Sequence, residues 1–256
     1  IQGSELDLGA IEGAFTGTLV FASASGSGTI SPQGYFDLPV LPTQLVFTAE
    51  ADAGHALRHF AVNGGKMKDS GNSFTLKLTR PGVCNIEAEF LPVRYVDTAG
   101  DDNANGQSPA TAWRTLQYAV DNAPLNGMVL AAPGIYDEGQ IYYGEHSNRV
   151  AITRNVVLKS SSGAEQTFII GKRDPNGNEF GCGTNAIRCT YIAAVATLEG
   201  FTLTGGASGV SLNDADTSSV RGGAIYGERG IGGQVWDCII SNNVASRGAA
   251  AFTGGS

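Results

Sequence analysis

The stretch YVDTAGDDNANGQSPATAWRTLQYAVDNAPLNGMVLAAPGIY, Tyr95 to Tyr136, constrains the fold of this chain more than any other part of it. It opens on a short apolar run, Tyr95-Val96, and enters a dense set of turn formers: Gly100, Asp101, Asp102, Asn103, Asn105 and Gly106. Asp and Asn side chains bond their own backbone two residues on, and Gly tolerates positive φ. Ser108-Pro109 adds a break, because Pro disfavours the α region for the residue before it. The period then changes. Leu116, Ala119, Val120 and Ala123 fall on one stripe of an amphipathic helix. Thr115 stands at the N-cap position, and Pro124 and Gly127 end the segment. Met128 to Ala132 is an apolar run too short for a helix, closed by Pro133-Gly134, so it reads as a buried strand and a turn. A stack of parallel strands leaves its first core layer and strand edges open, and such ends recruit other chains unless covered. One short helix laid across the end does this.

Downstream, strand-like runs recur at Val150–Ile152, Val156–Lys159, Phe168–Gly171, Ala196–Thr204 and Gln234–Asn243. Short apolar runs without intervening helices suit the parallel strands of a solenoid. Two polar inserts interrupt them, 172–190 and 207–221, and inserts in solenoids project from one face. One repeat is explicit: Arg221-Gly222-Gly223-Ala224-Ile225-Tyr226 matches Arg247-Gly248-Ala249-Ala250-Ala251-Phe252 at an offset of 26 (247 − 221), a coil length. Small Gly and Ala allow close stacking, and Asn242 and Asn243 suit side-chain ladders between coils.

The Tyr95–Tyr136 stretch resembles the N-terminal segment of the pectate-lyase-like right-handed parallel β-helix superfamily. That pattern is Tyr-Val, a Gly/Asp/Asn-rich loop, Ser-Pro, an aromatic, Thr-(Ile/Leu)-Gln-x-Ala-Val, an apolar strand and Pro-Gly-x-Tyr. It matches here at Tyr95-Val96, Gly100 to Gly106, Ser108-Pro109, Trp113, Thr115-Leu116-Gln117-Tyr118-Ala119-Val120 and Pro133-Gly134-Ile135-Tyr136. The Gly-Gly-Ala-Ile and Ser241-Asn242-Asn243 pattern resembles the repeats of polymorphic outer-membrane-protein adhesins. These resemblances imply a fold and a surface setting, not a reaction.

Upstream, short strands recur every ten or so residues: Leu19–Phe21, Gln44–Glu50, a run from His55 ending at Asn63-Gly64-Gly65, Ser73–Leu78 and Cys84–Phe90. In the last, Cys84, Ile86, Ala88 and Phe90 share the buried side. Residues 1–18 are weakly patterned. The block resembles the divergent bacterial repeat related to the internalin B-repeat over roughly 19–91. The matches are Gly26 to Pro32, Thr48-Ala49, Ala53-Gly54, Phe60 to Gly64 and Glu87-Ala88-Glu89-Phe90; Phe60-Ala61-Val62 stands where the family has a Trp. Such repeats are spacers on secreted and surface proteins. The fold expected is therefore all-β, a small β domain over 1–92 and a right-handed parallel β-helix with a short N-terminal capping helix over 93–256. Leu91-Pro92-Val93 reads as the linker.

Composition bounds the function. Gly is 36 of 256 residues and charged residues are 16%, which fits a turn-rich β protein with a Ser, Thr and Asn surface. The net charge of −8 argues against nucleic acid and anionic membranes. No apolar run approaches the ~18 residues of a membrane helix. The start at Ile1 is expected to be processed or truncated, and the end at Ser256, inside a glycine-rich repeat, is expected to continue.

Of the four cysteines, Cys182 and Cys189 share one loop and are the expected disulfide; Cys84 and Cys238 read as buried thiols. One loose Cys pair without a second pair or a His at the right spacing does not make a zinc site. No cofactor is required; calcium is the candidate ion, at Asp97, Asp101 and Asp102, although the loop is not an EF-hand and turns of this kind need no metal. His55 and His59 lie on one strand, and His146 stands alone in a loop. Tyr136, Tyr142 and Tyr143 suit sugar stacking or coil packing. Acids after the cap, from Asp137 and Glu138 to Glu228 and Asp237, show no cluster at coil spacing; Asp214 and Asp216 lie in the polar insert. Neither a nucleophile elbow nor a phosphate loop is present.

Three function classes follow. The first is a non-catalytic adhesin or structural β-helix module, secreted or on the cell surface, with a polysaccharide or a host or neighbouring cell surface as partner. The second is a polysaccharide lyase or hydrolase, which needs acids and bases grouped in a groove. The third is a self-assembling fibre subunit, by coil stacking or by strand addition from residues 1–18.

Overall fold

The computed structural model describes residues 17–67, 71–210, 218–248 and 250–253. Asp214, Asp216 and residues 1–16 lie outside them. The chain is all-β and divides into two compact units, Ile1–Leu91 and Pro92–Ser256.

The first unit contains β1 (Thr18–Ser25), β2 (Gly28–Ser31), β3 (Gly34–Leu38), β4 (Thr43–Ala51), β5 (His55–Val62), β6 (Gly65–Lys66), β7 (Ser73–Leu78) and the first part of β8 (Gly82–Val96). β1 lies between β3, antiparallel, and β8, parallel. β4 lies between β2 and β7, both antiparallel. Alternation decides which side is buried. On β8, Cys84, Ile86, Ala88 and Phe90 face a core with Val20, Ile30, Phe47, Phe60 and Phe74, and Phe74 packs on both Phe47 and Phe60, ring centroids 5.5 and 4.8 Å away. β3 was not legible in advance, being short and set between Pro32 and Pro39.

The second unit begins inside β8, at the segment expected to be a linker; Pro92 is strand backbone. It continues with α1 (Leu116–Asn122), β9 (Met128–Ala131), β10 (Gly134–Tyr136), β11 (Ile141–Tyr143), β12 (His146–Ile152), β13 (Val157–Ser160), β14 (Thr167–Ile170) and β15 (Ile187–Ile192). After these come β16 (Thr197–Glu199), β17 (Thr202–Thr204), β18 (Ile225–Gly227), β19 (Gln234–Trp236), β20 (Ile239–Ser241) and β21 (Ala251–Thr253). These strands form three parallel sheets that the chain visits in the same order on each pass. The first sheet is β8-β9-β13-β16-β19, the second β10-β14-β17-β20 and the third β12-β15-β18-β21. β11 folds back antiparallel on β12.

Inward residues stack in register from pass to pass: Val129, Leu158, Leu198 and Val235 in the first sheet, and Tyr136, Ile169, Leu203 and Ile240 in the second. Burying each such side chain is worth about 1.5–3 kcal/mol, so the central layers are held mainly by this column. The helix lies on it through the predicted stripe, with Leu116, Ala119, Val120 and Ala123 all in the core cluster. Thr115 Oγ1 accepts from the Tyr118 N–H, 3.3 Å, as an N-cap. The side-chain amide of Gln117 bonds the backbone of Ala151 in β12 in both directions, accepting from its N–H at 2.8 Å and donating to its carbonyl at 3.3 Å.

Two expectations are corrected, on the long strand runs and on the first insert, and one is met. Ala196–Thr204 and Gln234–Asn243 are not single strands. Each is two strands in different sheets, parted by a corner residue with positive φ, Gly200 (76°) and Asp237 (49°); Gly and Asp are among the few residues that take this conformation at low cost. The polar insert 172–190 ends earlier than expected, because Ile187–Ile192 is a fully buried strand at the centre of the third sheet. The offset of 26 between repeats is realised as strand register, Ile225 beside Ala251 and Tyr226 beside Phe252.

Candidate functional site

The loop that precedes the helix is held by its own acids. Asp97 Oδ1 accepts from the Ala99 N–H (2.9 Å), and Asp101 Oδ1 accepts from both the backbone and the side-chain amide of Asn103 (2.9 Å each). Those two bonds, the backbone one first, hold the Asp101 carboxyl below the usual range. Asp102 reaches across the loop, accepting from the N–H groups of Arg114 (2.8 Å) and Thr115 (3.0 Å) and from Thr115 Oγ1 (2.7 Å). Asn105 Oδ1 takes Gln107 N–H and Thr111 Oγ1–H. Trp113 closes the loop from below, donating its indole N–H to Ala104 O at 2.8 Å. The three calcium candidates are thus each engaged in fixing a turn, and the described residues hold no group of three His, Cys, Asp or Glu side chains placed for a metal.

Against this loop lie two adjoining cavities. One, of about 150 Å³, is walled by Tyr95, Leu130, Ala112, Ala132 and Pro109, with Asp97 and Ser161 as its polar groups. The other, of about 230 Å³, shares Asp97, Pro109 and Ala112 and takes in Asp101. Tyr95 and Leu130 are register neighbours on β8 and β9. The backbone at Ser161 is fixed by its N–H on Ala131 O, and that at Ala132 by its N–H on Val96 O.

A second cluster, of buried polar groups, lies on the third sheet. Arg188 is fully buried. It donates to Asn148 Oδ1 (2.7 Å), Gly222 O (2.6 Å) and Arg221 O (2.7 Å), and its guanidinium lies 5.8 and 5.3 Å from the ring centres of Tyr191 and Tyr226. Burial pulls its pKa down to about 10, leaving it charged at neutral pH. Asn148, its register partner, holds the β11–β12 turn by donating to Tyr143 O and His146 O. Tyr143, Tyr191 and Tyr226 form a column with 5.0 Å between successive rings. Gly144 in that turn has φ +59°, and a Cβ there would sit 2.1 Å from the Tyr191 ring. His146 is buried and donates Nε2–H to Ala207 O at 3.0 Å. Burial and the neighbouring Arg188 hold its pKa down at about 4, so it is neutral at pH 7.

Several other ionic residues bind strand to strand or cap loops. Lys159 and Glu199 are register neighbours, both buried, 3.4 Å apart. Asp174 caps the 174–185 loop through the N–H groups of Asn185 and Asn176, which lower its pKa. Arg149 donates to Ile170 O and Gly139 O, Arg154 to Asp121 O, and Arg114 pairs with Glu138 at 2.5 Å. In the first unit, Arg58 and His59 both face Glu89, at 3.0 and 3.8 Å, and His55 turns to Ala53 O. Tyr136 is buried, donating to Ala132 O, while Tyr142 is exposed. The expected Cys182–Cys189 bridge is not formed: all four cysteines are free thiols. Cys189 donates towards Thr204 O and Asn243 Oδ1, and burial pushes its pKa up to about 12. Sequence reasoning missed the Arg188–Asn148 pair, whose one signal was polar residues 40 apart (188 − 148), a coil length, in otherwise apolar runs.

No described helix is long and apolar enough to cross a membrane. No protein-family model and no curated protein matches the chain.

Proposed function

We propose that the chain is a non-catalytic structural or adhesive module of a secreted or cell-surface protein. In this reading residues 92–256 are a right-handed parallel β-helix of the pectate-lyase-like kind, and the first unit is a spacer repeat. The observation that carries it is the use of charge. Lys159–Glu199 and Arg188–Asn148 join neighbouring passes of the same sheet, and Asp102 and Asp174 cap loops. A buried ion pair such as Lys159–Glu199 is weak evidence for net stability, and fixing register, which a stacked scaffold needs, is the best-attested use of such groups. Purified chain should bind glycan or cell-surface preparations saturably without changing them. Release of unsaturated uronides or new reducing ends, above a heat-denatured control, would replace this reading with the lyase or hydrolase one.

Self-association is the second reading. Val235 and Ile240, at inward register positions of β19 and β20, are exposed together with Ile231, Trp236 and Ile239. Apolar surface beside strand edges favours addition of further strands. A molar mass that rises with concentration in light scattering supports this reading, and a constant monomer mass removes it.

A further inference from the structure

We infer that His146 is the latch of an acid-sensitive cover: its protonation releases the tip of the β11–β12 hairpin, residues 141–146, from the third sheet and uncovers Tyr191, while the strands beneath stay folded. This goes beyond the proposed function and does not rest on it.

The tip stands apart from the stack. β11 is the outer strand of its sheet, and β12 enters register with β15 at Ser147, beside Ile187, one residue after His146. The tip is therefore a ribbon paired within itself, and elements with few buried contacts open more readily than the core. Gly139, with φ +73°, precedes it. Two contacts hold it down. Asn148 donates to Tyr143 O (2.9 Å) and His146 O (2.8 Å), and the turn lies flat on Tyr191, so close that a Cβ at Gly144 would sit 2.1 Å from the ring. Tyr191 is buried, with Tyr226 5.0 Å and the Arg188 guanidinium 5.8 Å from its ring centre. Lifting the tip thus opens an aromatic face beside a cation.

The His146 ring is set between the tip and the segment 206–209. Its Nε2–H donates to Ala207 O at 3.0 Å, which fixes the neutral tautomer and leaves Nδ1 as the base. Nδ1 faces Gly209, where a Cβ would lie 3.5 Å from it. The Gly209 carbonyl already accepts from Ser208 Oγ (3.0 Å) and Ser246 Oγ (3.4 Å). The segment is pinned by its N–H groups, Gly206 to Asn243 Oδ1, Ala207 to Ile187 O, Ser208 to Val244 O and Gly209 to Ser219 O. A proton on Nδ1 therefore buries a new donor without an acceptor. It also sets a second positive charge near Arg188, the charge from β15 that bears on the ring. Segment 206–209 is Gly-Ala-Ser-Gly and carries no titratable side chain; Tyr143 is the register partner in β11, and Glu145, next in the turn, is exposed. Arg188 is held by Asn148 Oδ1, Gly222 O and Arg221 O, so the tip is what gives way. Burial first, and Arg188 second, hold the closed His146 at about 4, whereas in water a histidine takes its proton near ~6.5. The closed tip is favoured fully above that value, and its open-to-closed ratio rises on the order of 100-fold by about pH 4.

The test is native-state hydrogen exchange of the whole chain, read amide by amide by NMR at about pH 7 and about pH 4, with intrinsic rates divided out so that protection reports opening. The paired amides of residues 141–146 should be less protected than those of Leu158 and Leu198 at both pH values, because the tip opens without the stack. Tip protection should fall on the order of 100-fold from the higher pH to the lower. His146→Gln keeps a side-chain N–H for Ala207 O and cannot take the proton, so there the fall should shrink to less than about threefold. Tip protection that stays level in the parent chain overturns the proposal, because opening then leaves His146 in place. Tip protection equal to that of Leu158 and Leu198 at both pH values overturns it too, by making the tip part of one cooperative unit. An undiminished fall in His146→Gln assigns the effect to another group and overturns the latch. If that variant fails to fold, the parent chain decides, since the first two outcomes are read on it alone.

Discussion

Replacing Arg188 by Met tests whether the third sheet is held by a buried cation. Methionine keeps the stem and removes the guanidinium, so the lost term is polar. Among the described bonds, three acceptors lose a charged donor: Asn148 Oδ1, Gly222 O and Arg221 O, at 2.7, 2.6 and 2.7 Å. Hydrogen bonds to a charged group contribute about 1.5–3 kcal/mol each, so the gross loss is about 4–9 kcal/mol. Against this stands the several kcal/mol of desolvation that the buried cation no longer costs. The expected net destabilisation is about 3 kcal/mol. Both tryptophans, Trp113 and Trp236, lie in the second unit, so tryptophan fluorescence during urea unfolding follows that unit alone. With a slope of about 2 kcal/mol per molar urea, the midpoint should fall by about 1.5 M at unchanged slope. Arg188→Lys should recover less than half of this, because one ammonium cannot reach three acceptors spread around a fork. A Met variant within about 0.3 M of the parent chain, with the same slope, would refute the reasoning and show that the three acceptors find other donors.

Other outcomes follow from single groups. His146 is the one histidine of the second unit, with a folded pKa of about 4 against 6.5 for an ordinary histidine. The unfolded chain therefore takes up the proton first as pH falls: the contribution of neutral His146 is whole above pH 6.5 and is lost progressively towards pH 4. At about 1.4 kcal/mol per pH unit the loss reaches about 3 kcal/mol, measurable as urea midpoints by tryptophan fluorescence, and His146→Gln should flatten that slope. Thr190 buries a hydroxyl that finds no partner among the described residues, between Val150 and Ile225 in register. Thr190→Val should raise stability by about 1 kcal/mol, and a destabilised variant in thermal unfolding would contradict it. Gln117→Leu should cost about 2 kcal/mol by leaving Ala151 N–H and C=O unmet, read as a lower urea midpoint. Thiol titration in denaturant without reductant should count four free thiols, falling to two only if Cys182 and Cys189 are bridged.

How much of this was legible depends on what each residue faces. The helix and its cap were readable because Thr115, Leu116, Ala119 and Val120 obey local rules that tertiary contacts then reinforce. β7 and the first half of β8 were readable because one face is buried and the other is exposed, so the pattern alternates. β15 was not, because both its faces are covered. Its outward Arg188 and its inward Thr190 are polar, and a window over 172–190 reads as a loop. The corners at Gly200 and Asp237 were hidden for the opposite reason. The flanking triplets, Thr197–Glu199 with Thr202–Thr204 and Gln234–Trp236 with Ile239–Ser241, are each strand-like, and a single positive-φ residue is all that turns one sheet into the next. The acids of the candidate calcium site were found by type and spacing, but spacing does not say whether a carboxylate faces an ion or a neighbouring N–H.

Gln117 shows what a motif position can mean physically. In a parallel sheet alternate residues direct their backbone groups to opposite neighbours. Ile152 gives its carbonyl to Ala193 N–H on the β15 side, while the Ala151 N–H and carbonyl turn the other way, where β11 pairs with β12 only as far as Asn148. An unmet pair there costs free energy and offers a template to other chains. A glutamine amide carries one acceptor and one donor at the spacing of a peptide group, so it substitutes for the missing neighbour at one residue of the edge. Glutamate in its place would supply the acceptor but no donor, and leucine would supply neither. The stripe of α1 covers the apolar layer while Gln117 covers the polar edge, so the two functions of the cap fall on different residues of one short helix. The same requirement holds for any layer set against β19 and β20: apolar side chains over Val235 and Ile240, and donors and acceptors at strand spacing beside them.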